Sequence, residues 1–243
     1  MERRTAVVTG GGSGIGFATS ERLRADGFIV VVLDLDGAAA GRAAGDGLGI
    51  ETDVSDPGSV EAAFRRIAEE VGPVDVLVNN AGITGSQQAT RLHETPLIDW
   101  DLVTAVNIRG PYLCSRAVLP SMVERRSGHI IIIASVAGLN PFPGRSAYST
   151  SKGAALIMAK SIAIDYAADG IRANAVCPGM VETPMTQWRL DQPDLRAAVE
   201  SQVPLGRVAQ PEDIADAVAV LASGHLSYMT GHALVVDGGW TAR

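Results

Sequence analysis

Short apolar runs alternate with longer amphipathic stretches along the whole chain. TAVVT (Thr5 to Thr9), FIVVVLD (Phe28 to Asp34), LGIETD (48–53), VDVLVNN (74–80), GHIIIIAS (Gly128 to Ser135), IRANAVCPG (171–179) and HALVVDGG (232–239) read as seven strands. They are near-continuous in apolar residues rather than alternating, which predicts a parallel sheet covered on both faces. Between them the spacing predicts helices from about Ile15 to Asp26, over SVEAAFRRIAEEVG, from roughly Leu97 to Arg126, from about Ala147 to Ala168 and over PEDIADAVAVLAS. Gly27 is placed to end the first helix, and Asp56 to cap the second ahead of Pro57. Regular strand–helix alternation predicts an α/β chain with one doubly wound sheet, a single domain over residues 1–243. The longest irregular stretch runs from Pro178 to about Pro211, a lid over roughly 180–210. It follows the carboxyl end of the sixth strand, where such sheets bind ligands.

Composition narrows the function. At 47% hydrophobic the chain can bury a sizeable core, and a net charge of −7 argues against a nucleic-acid partner. The N-terminal MERRTAVVTGG lacks the apolar run of a signal peptide, and no run reaches membrane-spanning length, so the expected place is the cytoplasm, with no membrane partner. Cys114 and Cys177 both stand among apolar neighbours and read as buried free thiols. No cluster with metal-ligand spacing is visible.

The turn TGGGSGIG, Thr9 to Gly16, joins the first strand to the first helix. Glycines there permit a tight turn and let backbone approach a pyrophosphate at a helix N-terminus. Gly10, Gly14 and Gly16 form GxxxGxG rather than GxGxxG, and no GK[ST] follows to make a phosphate-binding P-loop. Asp34 ends the second strand, where a carboxylate can accept hydrogen bonds from both ribose hydroxyls of an adenosine. It would repel a 2′-phosphate, and the turn offers Ser13 but no basic residue to hold one. The expected cofactor is therefore NAD.

AYSTSK puts Tyr148 and Lys152 one helical turn apart on one face. The chain has two lysines against eighteen arginines, so the lysine here is a marked choice. A free phenol titrates near 10 and is a poor base at neutral pH, and a nearby ammonium favours its ionised form. With TGGGSGIG, NNAG (Asn79 to Gly82), Ser135 after the fifth strand, YSTSK and Pro178-Gly179 in this order, the whole chain resembles the short-chain dehydrogenase/reductases. The resemblance implies a Rossmann-like domain, a nicotinamide cofactor, hydride transfer between a secondary alcohol and a ketone, and a homotetramer or homodimer. It implies that Tyr148 is the acid–base group, that Lys152 lowers its pKa and holds the nicotinamide ribose, and that Ser135 binds the substrate oxygen. Asn107 would hold a water in a proton relay. Gly10, Ser13, Gly14, Ile15 and Gly16 would approach the pyrophosphate. Asp53 and Val54 would flank the adenine, and Asn80, Ala81 and Gly82 the adenosine ribose. Pro178, Gly179, Val181 and Thr183 would meet the nicotinamide. Thr183 also reads as a helix cap before Pro184.

Two arginines bear on the substrate. Arg145 stands three residues before Tyr148, and Arg189 lies in PMTQWRLDQPDLR beyond the PG pair. Together they would suit an anionic group held by charge-assisted hydrogen bonds, or they could pair with Asp191, Asp194 or Glu94. GRSAYSTSKGA and PGMVETPMTQWRLDQPDLR resemble a subgroup that oxidises a sulfonate-bearing secondary alcohol with NAD. There the positions matching Arg145 and Arg189 hold the sulfonate, and Trp188 falls in the same lid. The alternative is a ketoreductase or alcohol dehydrogenase for another small aryl, amino or hydroxy-acyl substrate, its pocket lined by Trp188, Met180, Met185 and His93. A binding protein without catalysis would have no need of the Tyr–Lys couple.

Overall fold

The computed structural model describes residues 3–86, 88 and 90–242. Seven strands, β1 (Thr5–Thr9), β2 (Ile29–Asp34), β3 (Leu48–Glu51), β4 (Val76–Asn79), β5 (Gly128–Ile133), β6 (Ile171–Pro178) and β7 (Ala233–Val236), form one parallel sheet in the order β3-β2-β1-β4-β5-β6-β7. The strands are short and apolar because both faces are covered. Successive side chains point to opposite faces, and the packing follows that alternation. Val7, Leu33, Leu77, Ile130 and Ile132 join one core, while Ala6, Val8, Val32, Val78 and Ile131 join the other.

The first core is closed by α3 (Pro57–Glu70), α5 (Gly110–Arg125) and α6 (Ser146–Tyr166), through residues such as Ile67, Met122 and Ala159. The second is closed by α1 (Gly14–Ala25), α2 (Gly37–Ala44) and α9 (Pro211–Ser223), through Leu23, Ala43 and Val218. Asp56 caps α3 as expected, its carboxylate accepting from the Gly58 and Ser59 N–H groups. Among the described residues no helix is long and apolar enough to cross a membrane, and none forms a group able to hold a metal ion. Both cysteines are buried and free.

Three features depart from the sequence reading. Helix α2 is unpredicted, because GAAAGRAA is only eight residues long and carries two glycines, poor helix formers. It forms because Asp36 caps it, accepting from the Ala39 N–H at 2.9 Å, and because four alanines bury against the sheet. The stretch expected as one helix from Leu97 to Arg126 is α4 (Leu97–Thr104) and α5 joined by a π-turn over Ala105–Arg109. Such an insertion re-aims one side chain, here Asn107, into the interior. The stretch expected as irregular carries α7 (Pro184–Leu190) and α8 (Pro193–Glu200), both opened by prolines at their first turn. They sit on a small separate core of Leu190, Val199 and Val208, with Met180 packed against it.

Candidate active site

The strand order reverses between β1 and β4, and a cleft of about 320 Å³ opens at the carboxyl ends of the strands on either side. That is the position at which a doubly wound sheet leaves a crevice. The glycine turn forms one wall. Gly10 has φ +60°, and a Cβ there would lie 2.8 Å from the Ala81 Cα. Thr9 fixes the facing loop, its hydroxyl accepting from the N–H groups of Asn80 and Ala81 at 3.0 Å each. Gly14, φ +51°, lies under the Thr183 side chain, which would stand 3.3 Å from an added Cβ.

Of the expected cofactor residues, Gly10, Ser13, Gly14, Ile15, Asp34, Asp53, Val54, Asn80, Ala81, Gly82, Tyr148, Lys152, Pro178, Gly179, Val181 and Thr183 line this cleft. Gly16 does not. It is buried behind the turn, where a Cβ would fall 2.1 Å from the Gly10 carbonyl oxygen, so its glycine serves close packing of α1 on the turn. Leu35, Thr52, Val106 and Thr186 also line the cleft, and the sequence reading did not single them out. They are ordinary apolar and hydroxyl residues whose place depends only on where the strands end.

Asp34 has a structural task as well. Its carboxylate accepts from the Gly12 N–H at 2.8 Å and from the Asp36 N–H at 3.1 Å, which ties the glycine turn to the end of β2. The cleft's one cationic side chain among the described residues is Lys152, and it stands with Tyr148 and Ser135 rather than beside Asp34.

At that other end Ser135, Tyr148 and Lys152 converge. Lys152 is 6% exposed, and its Nζ donates to the Ile133 carbonyl at 2.8 Å and lies 5.7 Å from the Tyr148 ring centre. Burial pulls its pKa down to about 8, against a smaller upward influence from Cys177. Burial also raises the Tyr148 phenol above its ordinary value, and the Ser135 hydroxyl facing it pulls it back. The Ser135 Oγ accepts from the Ala137 N–H at 3.1 Å, which leaves its own O–H to donate.

Asn107 stands one layer behind. It pairs with both backbone groups of Ile83, accepting at 2.9 Å and donating at 2.8 Å, and it donates to the Ser151 hydroxyl at 2.9 Å. Ser151 in turn donates to the Tyr148 carbonyl at 2.7 Å. A Cβ on Gly82 would lie 3.3 Å from the Lys152 Nζ and 3.4 Å from the Asn107 Oδ1, so those two groups border one small space beside Gly82.

Arg145 lines a smaller recess that shares Tyr148 with the cleft, and it donates to the Ser86 carbonyl. Burial, and then the charge of Arg189, pull the Arg145 pKa below its usual range. Arg189 has no ion-pair partner among the described residues, and its Nε is buried without a hydrogen-bond partner. Asp191 instead takes a bond from Gln187, and Glu94 caps its own short turn. Trp188 is 37% exposed on α7, and Met185 lines the cleft mouth. Met180 packs beneath the lid, and His93 is exposed beside Glu94, so neither lines the cleft.

A short-chain dehydrogenase family model described as enoyl-(acyl carrier protein) reductase matches residues 10–241. The chain is 51% identical to 2-(R)-hydroxypropyl-CoM dehydrogenase of Xanthobacter autotrophicus, over 98% of this chain and 99% of that protein. It is 38% identical to 2-(S)-hydroxypropyl-CoM dehydrogenase 3 of the same organism, over 100% and 98%. A crystal structure of 3-ketoacyl-(acyl-carrier-protein) reductase from Brucella melitensis complexed with NADH is similar at TM-score 0.91, with 34% identity over 99% of both chains.

Proposed function

The chain belongs to the short-chain dehydrogenase/reductases and is an oxidoreductase of CH–OH groups, and from that premise we propose that it oxidises a small anionic secondary alcohol to its ketone with NAD. The best specific substrate is 2-(R)-hydroxypropyl-coenzyme M, the alcohol named in its 51% identical relative. The observation that carries the anionic reading is the Arg145–Arg189 pair. Arg145 lines the recess beside Tyr148 and feels the charge of Arg189, whose buried Nε has no partner and leaves donor capacity for an anion.

The residues fit a nicotinamide dinucleotide. The glycine turn presents backbone with no side chain in the way, and Asp34 meets the cleft at the end of β2. When bound, the nicotinamide ring supplies the hydride acceptor. Ser135 donates a hydrogen bond to the alcohol oxygen and fixes it beside Tyr148. Tyr148 takes the hydroxyl proton as the carbinol hydrogen departs. Lys152 holds the ribose and steadies the ionised phenol, and Asn107 holds a water between its Oδ1 and the Lys152 Nζ, which returns the proton towards solvent.

Asp34 supports NAD over NADP, since a 2′-phosphate beside it would face a carboxylate with no neighbouring cation in the cleft lining. Asp34→Asn keeps an acceptor oxygen for the Gly12 N–H and removes the charge. The ratio of kcat/KM for NAD to that for NADP is expected to fall about tenfold or more, the worth of one charged hydrogen bond. An unchanged ratio would remove Asp34 from cofactor choice.

We also place the protein in the cytoplasm as a homodimer or homotetramer. The buried thiols suit a reducing compartment. Leu97, Ile98 and Leu102 on α4 and Ile157 and Ile164 on α6 leave apolar surface exposed on the single chain, as an interface requires. Sedimentation equilibrium at micromolar protein is expected to give a multiple of the chain mass, and a monomer would contradict it.

A further inference from the structure

The turn that carries Trp240 touches both the loop leading into Arg145 and the chain leaving the lid. Trp240 stacks on Phe142, with ring centres 5.5 Å apart and planes 28° from parallel, and its Nε1–H donates to the Gln202 Oε1 at 3.3 Å. Phe142 belongs to the loop that leads into Arg145 and Tyr148: its carbonyl accepts from the Arg145 N–H at 3.2 Å, and its N–H donates to the Ser149 hydroxyl at 3.3 Å. Gln202 lies just beyond α8, at the base of the lid, with its N–H on the Val199 carbonyl. One indole therefore joins the arginine-bearing loop to the root of the lid.

The turn that carries Trp240 is built firmly. The Asp237 carboxylate accepts from the Gly239 N–H, the Thr241 N–H and the Thr241 hydroxyl at 2.9, 2.8 and 2.7 Å. Gly238 and Gly239 have φ of +65° and +88°, and a Cβ on each would lie 2.6 Å from Val203 and 3.0 Å from Pro204, so the turn lies directly on the chain leaving the lid. Below, the Gly179 N–H donates to the Val236 carbonyl at 3.0 Å, and a Cβ on Gly179 would stand 2.9 Å from that of Asp237. The turn is thus seated on the floor of the cleft, while Trp240 itself does not line it.

We propose that Trp240 is a positioning residue for the alcohol: it clasps the 139–145 loop to the base of the lid and so sets the spacing between the groups that close over the substrate. This rests on the alcohol lying between that loop and the lid. Trp240, Phe142 and Gln202 do not line the cleft that holds Ser135, Lys152 and the glycine turn, so loss of the clasp acts first on alcohol binding.

The test compares Trp240→Ala, Trp240→Phe and Gln202→Ala with the parent enzyme, measuring KM for the alcohol, KM for NAD, kcat and thermal midpoint. In Trp240→Ala the KM for the alcohol is expected to rise on the order of tenfold, from loss of one aromatic stack and one hydrogen bond, with kcat and the KM for NAD little changed. Trp240→Phe keeps the stack and loses only the N–H bond, so it should fall between, beside Gln202→Ala. An unchanged KM for the alcohol in folded Trp240→Ala overturns the proposal. So does a parallel loss of kcat and of both affinities that tracks a lowered thermal midpoint, which is a structural role. Should Trp240→Ala not fold, a raised alcohol KM in both milder variants supports the clasp, and none in either overturns it. The measurement uses whichever alcohol the parent turns over. Turnover of neutral alcohols alone by the parent would refute the sulfonate reading and leave this test intact.

Discussion

Tyr148→Phe is expected to lower kcat/KM for alcohol oxidation by about 10²- to 10⁴-fold, the usual worth of a positioned acid–base group. The phenylalanine ring fills nearly the same volume, so the cleft and the packing of α6 should survive, and NAD binding with them. What disappears is the one hydroxyl that faces Ser135 at the cleft end and can take the alcohol proton. The pH dependence has a defined sign. Oxidation needs Tyr148 unprotonated, and burial lifts the phenol above its ordinary value, so the parent's kcat/KM for oxidation should climb as pH rises from neutral. Ketone reduction needs the protonated phenol, which dominates at neutral pH, so it should be level there and fall on the alkaline side. Lys152 loses its proton at about 8, so the ammonium that steadies the ionised phenol is itself lost over the same alkaline range. That should flatten the rise in oxidation above that point. The Tyr148→Phe residue of activity should show neither limb. Activity comparable with the parent would remove Tyr148 from the chemistry and revive a binding protein on this fold.

Arg189→Ala is the second large effect. It should raise KM for an anionic alcohol by about 10- to 100-fold and leave kcat near the parent value, because the lost bonds are to a part of the substrate that does not react. Neutral alcohols of similar size should be turned over as before. The thermal midpoint decides between binding and lid folding. Arg189 has no ion-pair partner among the described residues, so removing it breaks no ion pair of the lid. The variant should unfold no earlier than the parent. A lowered midpoint with equal losses for anionic and neutral alcohols would make Arg189 a structural residue of α7.

The parts of the molecule that were legible beforehand are those where local pattern and tertiary environment agree. IVVVLD and GHIIII are strands in any context that buries both faces, and Asp56-Pro57 starts a helix by its own chemistry. The ordered glycines, Ser135, Tyr148 and Lys152 were found because each needs a particular residue type at a strand end or one helical turn apart. What was missed depends on neighbours remote in sequence. Helix α2 is too short and too glycine-rich to announce itself, and its alanines make sense only against Val30 and Val32. The π-turn that turns Asn107 inward leaves no mark in the spacing of AVNIRG. Gly16 looked like a pyrophosphate contact, yet it packs against the Gly10 carbonyl, a distinction of backbone proximity rather than sequence. Burial, a property of the folded interior, raises the Tyr148 pKa and lowers that of Lys152, and the spacing of YSTSK alone does not show it.

The central claim is that this is an NAD-dependent dehydrogenase whose Arg145 and Arg189 select an anionic secondary alcohol. NADH formation should be followed with 2-(R)-hydroxypropyl-coenzyme M, its S enantiomer, and neutral 2-alkanols and aryl alcohols of similar size. The expected result is a kcat/KM for the R sulfonate at least about tenfold above that of every neutral alcohol, the difference one charge-assisted contact supplies. Equal or better turnover of the neutral alcohols would contradict it, leaving a short-chain alcohol dehydrogenase whose paired arginines shape the lid.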